Sequence, residues 1–143
     1  MKNDFQKLLD KFRRLSLPVR QYAIYGSGPL AARGIREAKD LDVIVTDNLY
    51  QKLKEEYPRD SKKERIKIGE IEIYPSWAWE PKINGLEGVI KRAEVINGLR
   101  FIRLDDLLEC KRKMGRPKDF EDIRLIRDYL QNQNLGKLRK ISY

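Results

Sequence analysis

Two carboxylates stand two residues apart at the mouth of an apolar, β-rich segment, Lys39-Asp40-Leu41-Asp42-Val43-Ile44-Val45. Positions i and i+2 of a strand face the same way, so Asp40 and Asp42 are expected to point together, roughly 7 Å apart at the backbone, while Leu41 and Val43 bury themselves on the other side. Such a pair can share a divalent cation, and hard oxygen ligands suit Mg²⁺. Upstream, the apolar run Tyr22 to Tyr25 stops at Gly26-Ser27-Gly28. Glycines there let the chain turn sharply and bring backbone amides close to an anion. Pro29 then suits the first turn of a short helix. One reading is a phosphate-binding turn beside a metal-binding pair. The other is an ordinary strand-helix-strand unit with solvated aspartates at a strand end.

A third carboxylate comes from Arg65 to Tyr74, where apolar and polar residues alternate on either side of Gly69-Glu70. Glycine in the first turn position predicts a two-residue hairpin. In that register Ile66, Ile68, Ile71 and Ile73 share the buried face, and Lys67 and Glu72 lie opposite one another on the other. If this strand lies beside the Asp40-Asp42 strand, Glu72 completes a three-carboxylate cluster. Otherwise Glu72 makes an exposed cross-strand pair with Lys67, worth only tenths of a kcal/mol. Trp77 and Trp79 follow, and indole faces either stack on a base or acceptor or anchor their loop on the core.

Composition restricts the chemistry further. The 143 residues have the length of a single domain, read as residues 1–143 with a basic, mobile tail from about 134. Histidine is absent, which removes Ser-His-Asp and Cys-His catalysis, imidazole acid-base chemistry and His-containing zinc sites. Carboxylates, lysines, arginines, hydroxyls and metal must do the work. The net charge of +9 favours polyanionic partners such as nucleotides or RNA, and also keeps a protein soluble. No apolar window is long enough for a membrane span, and the first residues lack the apolar core of a signal peptide. With the single Cys110, which cannot form an internal disulfide, this leads to the expectation of a cytoplasmic location without membrane contact.

The elements that must position these groups are legible in outline. Asn3 to Leu15 places Phe5, Leu8, Leu9, Phe12 and Leu15 at helical spacing, with a basic face that is solvated or touches a polyanion. Asn48 to Tyr57 reads as a surface helix stopped by Pro58, and Arg59 to Glu64 as a charged loop. Val89 to Ile102 reads as edge strands around an Asn97-Gly98 turn. A helix from Asp105 closes at Gly115, and Pro117 opens a last helix that runs to about Leu130.

The Gly26-Ser27 turn followed by Asp40-Leu41-Asp42 resembles the signature of the polymerase beta-like nucleotidyltransferase superfamily. The C-terminal block, Lys111 on a helix and then Arg116-Pro117-Lys118-Asp119-Phe120-Glu121-Asp122-Ile123, looks like that of the abortive-infection and aminoglycoside-type minimal members. The likeness runs from about Tyr22 to Tyr129 and leaves Glu80 to Gly88 without a counterpart. Pro29 and Glu37 are departures from the pattern.

This resemblance implies an α/β (α+β) fold, a mixed sheet of four to six strands with helices mainly on one face. It also implies a metal-dependent nucleotidyltransferase moving a nucleoside monophosphate from a nucleoside triphosphate, with ATP as the expected donor, to an acceptor hydroxyl. Gly26, Ser27 and Gly28, aided by the amino end of the next helix, would bind the phosphates. Asp40, Asp42 and Glu72 would be the metal ligands for Mg²⁺ or Mn²⁺, with Glu72 as base or second-metal ligand. Lys111 and Lys118 would neutralise the departing pyrophosphate. The acceptor, RNA among the candidates, and the preferred base are not encoded in any motif. The alternative is a non-catalytic nucleotide- or RNA-binding module, or one component of a toxin-antitoxin pair acting with a protein partner.

Overall fold

The computed structural model describes residues 2–76 and 86–141, so Trp77 and Trp79 lie outside the described residues. The first helix, α1 (Lys2–Arg13), buries Leu8, Leu9 and Phe12, and the Phe12 ring meets Tyr22 edge-on with centroids 5.1 Å apart. It leads to β1 (Tyr22–Tyr25), the five-residue α2 (Gly28–Ala32) and β2 (Leu41–Val45). Thr46 caps the next helix, α3 (Asp47–Glu56), its hydroxyl accepting a hydrogen bond from the Leu49 amide at 3.4 Å.

Beyond α3 come β3 (Ser61–Lys62), β4 (Arg65–Ile68), β5 (Ile71–Pro75), α4 (Leu86–Lys91), β6 (Glu94–Ile96), β7 (Leu99–Phe101), α5 (Leu104–Met114) and α6 (Pro117–Ile141). The two hairpins have the expected chemistry. Gly69 alone takes positive φ (+60°) between β4 and β5, whereas both Asn97 (+52°) and Gly98 (+80°) do so between β6 and β7. Gly115, in the left-handed conformation, ends α5.

Among the described residues seven strands form one mixed sheet, in the order β3-β4-β5-β2-β1-β7-β6. The sheet exceeds the expected four to six strands partly because a turn at Lys63 (φ 46°) folds Ser61-Lys62 back onto β4. Of the expected edge strands, β6 lies at the edge and β7 pairs inward with β1. Val89 and Ile90 belong to α4, where both are buried. Packing has overridden their β propensity there.

Each sheet face carries its own core. On one, Ile24, Leu41, Val43, Val45, Ile66, Ile71 and Ile73 pack with side chains from α1 and α3. On the other, Ala23 and Ile44 pack with side chains from α2, α4, α5 and α6. Four of the six helices among the described residues thus serve the second face. Helix α6 continues past Leu130 to Ile141, since no proline interrupts it and Gly136 costs only about 1 kcal/mol relative to alanine. No helix of the described residues is long and apolar enough to cross a membrane.

Candidate active site

Strand alternation decides which face receives the carboxylates. Leu41, Val43 and Val45 are buried in the first core, so Asp42 is turned to the second face, beyond the helical cover of Ile44. The parallel pairing of β2 and β5 sets Asp42 opposite Glu72. The antiparallel pairing of β1 and β2 sets it opposite Tyr25, and β4 places Lys67 opposite Glu72. One row, Tyr25-Asp42-Glu72-Lys67, therefore crosses four strands on one face. Asp40 stands exposed just before β2, close enough to raise the Asp42 pKa.

The electrostatics of the row centre on Asp42. Burial first, then the charges of Asp40 and Glu72, push its carboxyl up from 3.8 to about 6, against the pull of Lys118 and Lys111. The Gly26 turn lies directly against it. A Cβ on Gly26, whose φ is +72°, would meet Asp42 Oδ2 at 2.8 Å, so glycine is demanded both by conformation and by this close approach. Gly28 is constrained differently, since a Cβ there would meet Ile24 Cγ2 at 2.6 Å. Ser27 is the N-cap residue of α2, and its hydroxyl does not cap the helix.

Glu72 is already engaged. Tyr74 donates its hydroxyl to Glu72 Oε2 at 2.7 Å, Arg65 donates to Oε1 at 3.3 Å, and the Lys67 ammonium is 3.8 Å from the same oxygen. Burial and this hydrogen bond push the Tyr74 hydroxyl up to about 12, so it remains a donor. Tyr25 packs edge-on against Tyr74, centroids 6.3 Å apart, and burial raises its pKa as well. Among the described residues no three acidic or sulfur side chains are gathered closely enough to hold a metal ion.

The C-terminal block forms a buried ion network. Lys111 is buried, with Nζ 2.8 Å from Asp122 and 3.7 Å from Asp119. Arg36 grips Asp122 with two hydrogen bonds of 2.7 and 2.9 Å, and Arg116 grips Asp119 with bonds of 2.6 and 3.1 Å. Burial by itself would raise both aspartates, but these cations outweigh it and hold them below the usual carboxylate range. The network ties the start of α6, with exposed Lys118, to the segment that delivers Asp40 and Asp42.

The fold thus brings Gly26, Asp40, Asp42, Glu72, Lys111 and Lys118 to one side of the sheet, with Lys111 already paired in the network. Glu37 is exposed and lines a groove beneath α1 with Lys7, Lys11 and Lys39. Sequence reasoning gave no role to Tyr25, Arg36, Tyr74, Asp119 or Asp122. Tyr74 was findable, because it lies two residues beyond Glu72 on the same face. Arg36, in contrast, is brought to Asp122 only by tertiary structure.

No family model and no curated protein matches the chain. Among solved structures it is similar to a protein from Thermotoga maritima described as a "putative nucleotidyltransferase", with a TM-score of 0.56 and 17% identity over 91% of this chain and 94% of that one. It is also similar to ANT(2″)-Ia, solved in complex with adenylyl-2″-tobramycin, with a TM-score of 0.50 and 17% identity over 97% of this chain and 92% of that one. At these identities the likeness concerns architecture, and the mixed seven-stranded sheet of this chain has the nucleotidyltransferase-like fold.

Proposed function

We propose that the chain is a metal-dependent nucleotidyltransferase that moves a nucleoside monophosphate from a nucleoside triphosphate, ATP being the expected donor, to an acceptor hydroxyl. The observation that carries this reading is the in-register pair Asp42 and Glu72, with the Gly26 turn packed against the Asp42 carboxylate. Like charges so placed repel, which disfavours the fold unless a cation offsets them. The donor set fits Mg²⁺ or Mn²⁺, because such ions are commonly held by one or two carboxylates plus substrate phosphates. Asp40 and Asp42 would hold the metal, with Glu72 joining them if released from Tyr74 and Arg65. When bound, the metal supplies charge stabilisation to the phosphoryl group in transfer.

The amides of Gly26 to Gly28 and the Ser27 hydroxyl would cradle the phosphates. Helix α2, at five residues, adds little dipole to that contact. Glu72 takes the proton of the acceptor hydroxyl as its oxygen bonds to the α-phosphorus, while the bond from the α-phosphorus to the bridging oxygen of the β-phosphate breaks and pyrophosphate leaves. Lys118, with Lys111 behind it, would supply positive charge to that leaving group. The test is incubation with nucleoside triphosphates labelled at the α-phosphate, Mg²⁺ and a cell extract. Label passing to a macromolecule or small alcohol supports the reading, and labelling no greater than with EDTA opposes it.

A further inference from the structure

The row of the candidate active site does not end at Glu72. Beyond it, at the β3-β4 edge, a cavity of about 380 Å³ is lined by Arg59, Asp60, Lys62, Arg65, Lys67 and Gly69. Four cations thus face one carboxylate. Strand pairing explains the concentration: Lys62 lies opposite Arg65 and Lys67 opposite Glu72, so these cations share the sheet face of Glu72. Arg65 and Lys67 reach Glu72, whereas Arg59 and Lys62 are exposed and make no ion pair among the described residues. Lys67 is two strand spacings from Asp42, about 10 Å away.

We propose that this cavity binds a backbone phosphate of a single-stranded RNA acceptor, whose terminal hydroxyl then lies toward Asp42 and Glu72. The proposal rests on the nucleotidyl-transfer reading. Charge complementarity favours the occupant: the four cations outnumber Asp60 and the neighbouring Glu72 by two, and that excess beside a site that must receive a hydroxyl suits a phosphodiester chain better than a neutral alcohol.

The experiment compares Arg59→Gln/Lys62→Gln with the wild type and with Lys52→Gln/Lys54→Gln, which removes two exposed charges on α3 instead. Binding of a single-stranded oligoribonucleotide is titrated at several salt concentrations, and Mg²⁺-dependent ATP binding is measured beside it. The pocket variant is expected to bind RNA on the order of ten-fold more weakly at low salt, its salt slope reduced by about 0.7 for each phosphate it no longer neutralises. The α3 variant and ATP affinity should match the wild type. Equal losses in both variants, no RNA binding by the wild type, or a loss confined to ATP would each overturn the proposal. Absence of ATP binding throughout would count against nucleotidyl transfer itself while the RNA comparison still reads the pocket.

Discussion

Replacing Asp42 by asparagine keeps the shape of the side chain and removes the charge at the centre of the row. The folded protein holds this carboxyl at about 6 against an ordinary 3.8. At about 1.4 kcal/mol per pH unit, the ionised form costs the fold about 3 kcal/mol, an upper bound because solvent reaches part of the group. The sign follows from the direction of the shift. A carboxyl raised on folding favours the native state when protonated, so its contribution is fully present below pH 3.8 and is lost as pH rises through 6. Asp42→Asn should therefore match the wild type in stability near pH 3.5 and exceed it increasingly to about pH 7. At that upper bound the plateau corresponds to a Tm gain of roughly 6–12 °C for a chain of this size. Thermal unfolding followed by circular dichroism over that pH range, without divalent cation, measures it. A variant less stable than the wild type at pH 7.5 would refute the reasoning and mark Asp42 as a structural hydrogen-bonding aspartate.

Further outcomes follow from the same geometry. Lys111→Ala leaves two buried carboxylates short of a partner and should destabilise by about 3 kcal/mol, the low end of the range for a broken buried pair because Arg36 and Arg116 remain; denaturant unfolding measures it. Asp119 and Asp122 are held below 3.8, so their contribution is present above that pH and lost as pH falls through the folded values; Asp122→Asn should flatten acid unfolding below pH 4 and lower stability at pH 7. Gly28→Ala drives a methyl group into Ile24 and should cost about 1–3 kcal/mol in a thermal melt, whereas Gly26→Ala, by displacing Asp42, should reduce label transfer by more than its stability loss explains.

Local patterns carried much of the architecture. The alternation about Gly69-Glu70 specified both the β4-β5 hairpin and the Lys67-Glu72 pairing, because a two-residue turn leaves one register. Glycine at 115 and the Asn97-Gly98 turn marked their elements for equally local reasons. The adjacency of Asp42 and Glu72 was only conditional, since strand order across a sheet depends on contacts distant in sequence. The burial of Lys111 was findable, as it follows Leu104 and Leu107 at helical spacing on one face of α5. A lysine at such a position is disguised by the rule that lysines are exposed, and its compensating aspartates come from another helix. The same holds for Arg36, whose partner Asp122 is 86 residues away.

The most direct test is calorimetric titration of ATP into the wild type and into Asp42→Asn, each with Mg²⁺ and with EDTA. The expected result is binding by the wild type that requires Mg²⁺ and is lost in a variant that remains folded. Binding of equal strength in all four conditions, or none in any, would contradict a carboxylate-held metal at Asp42.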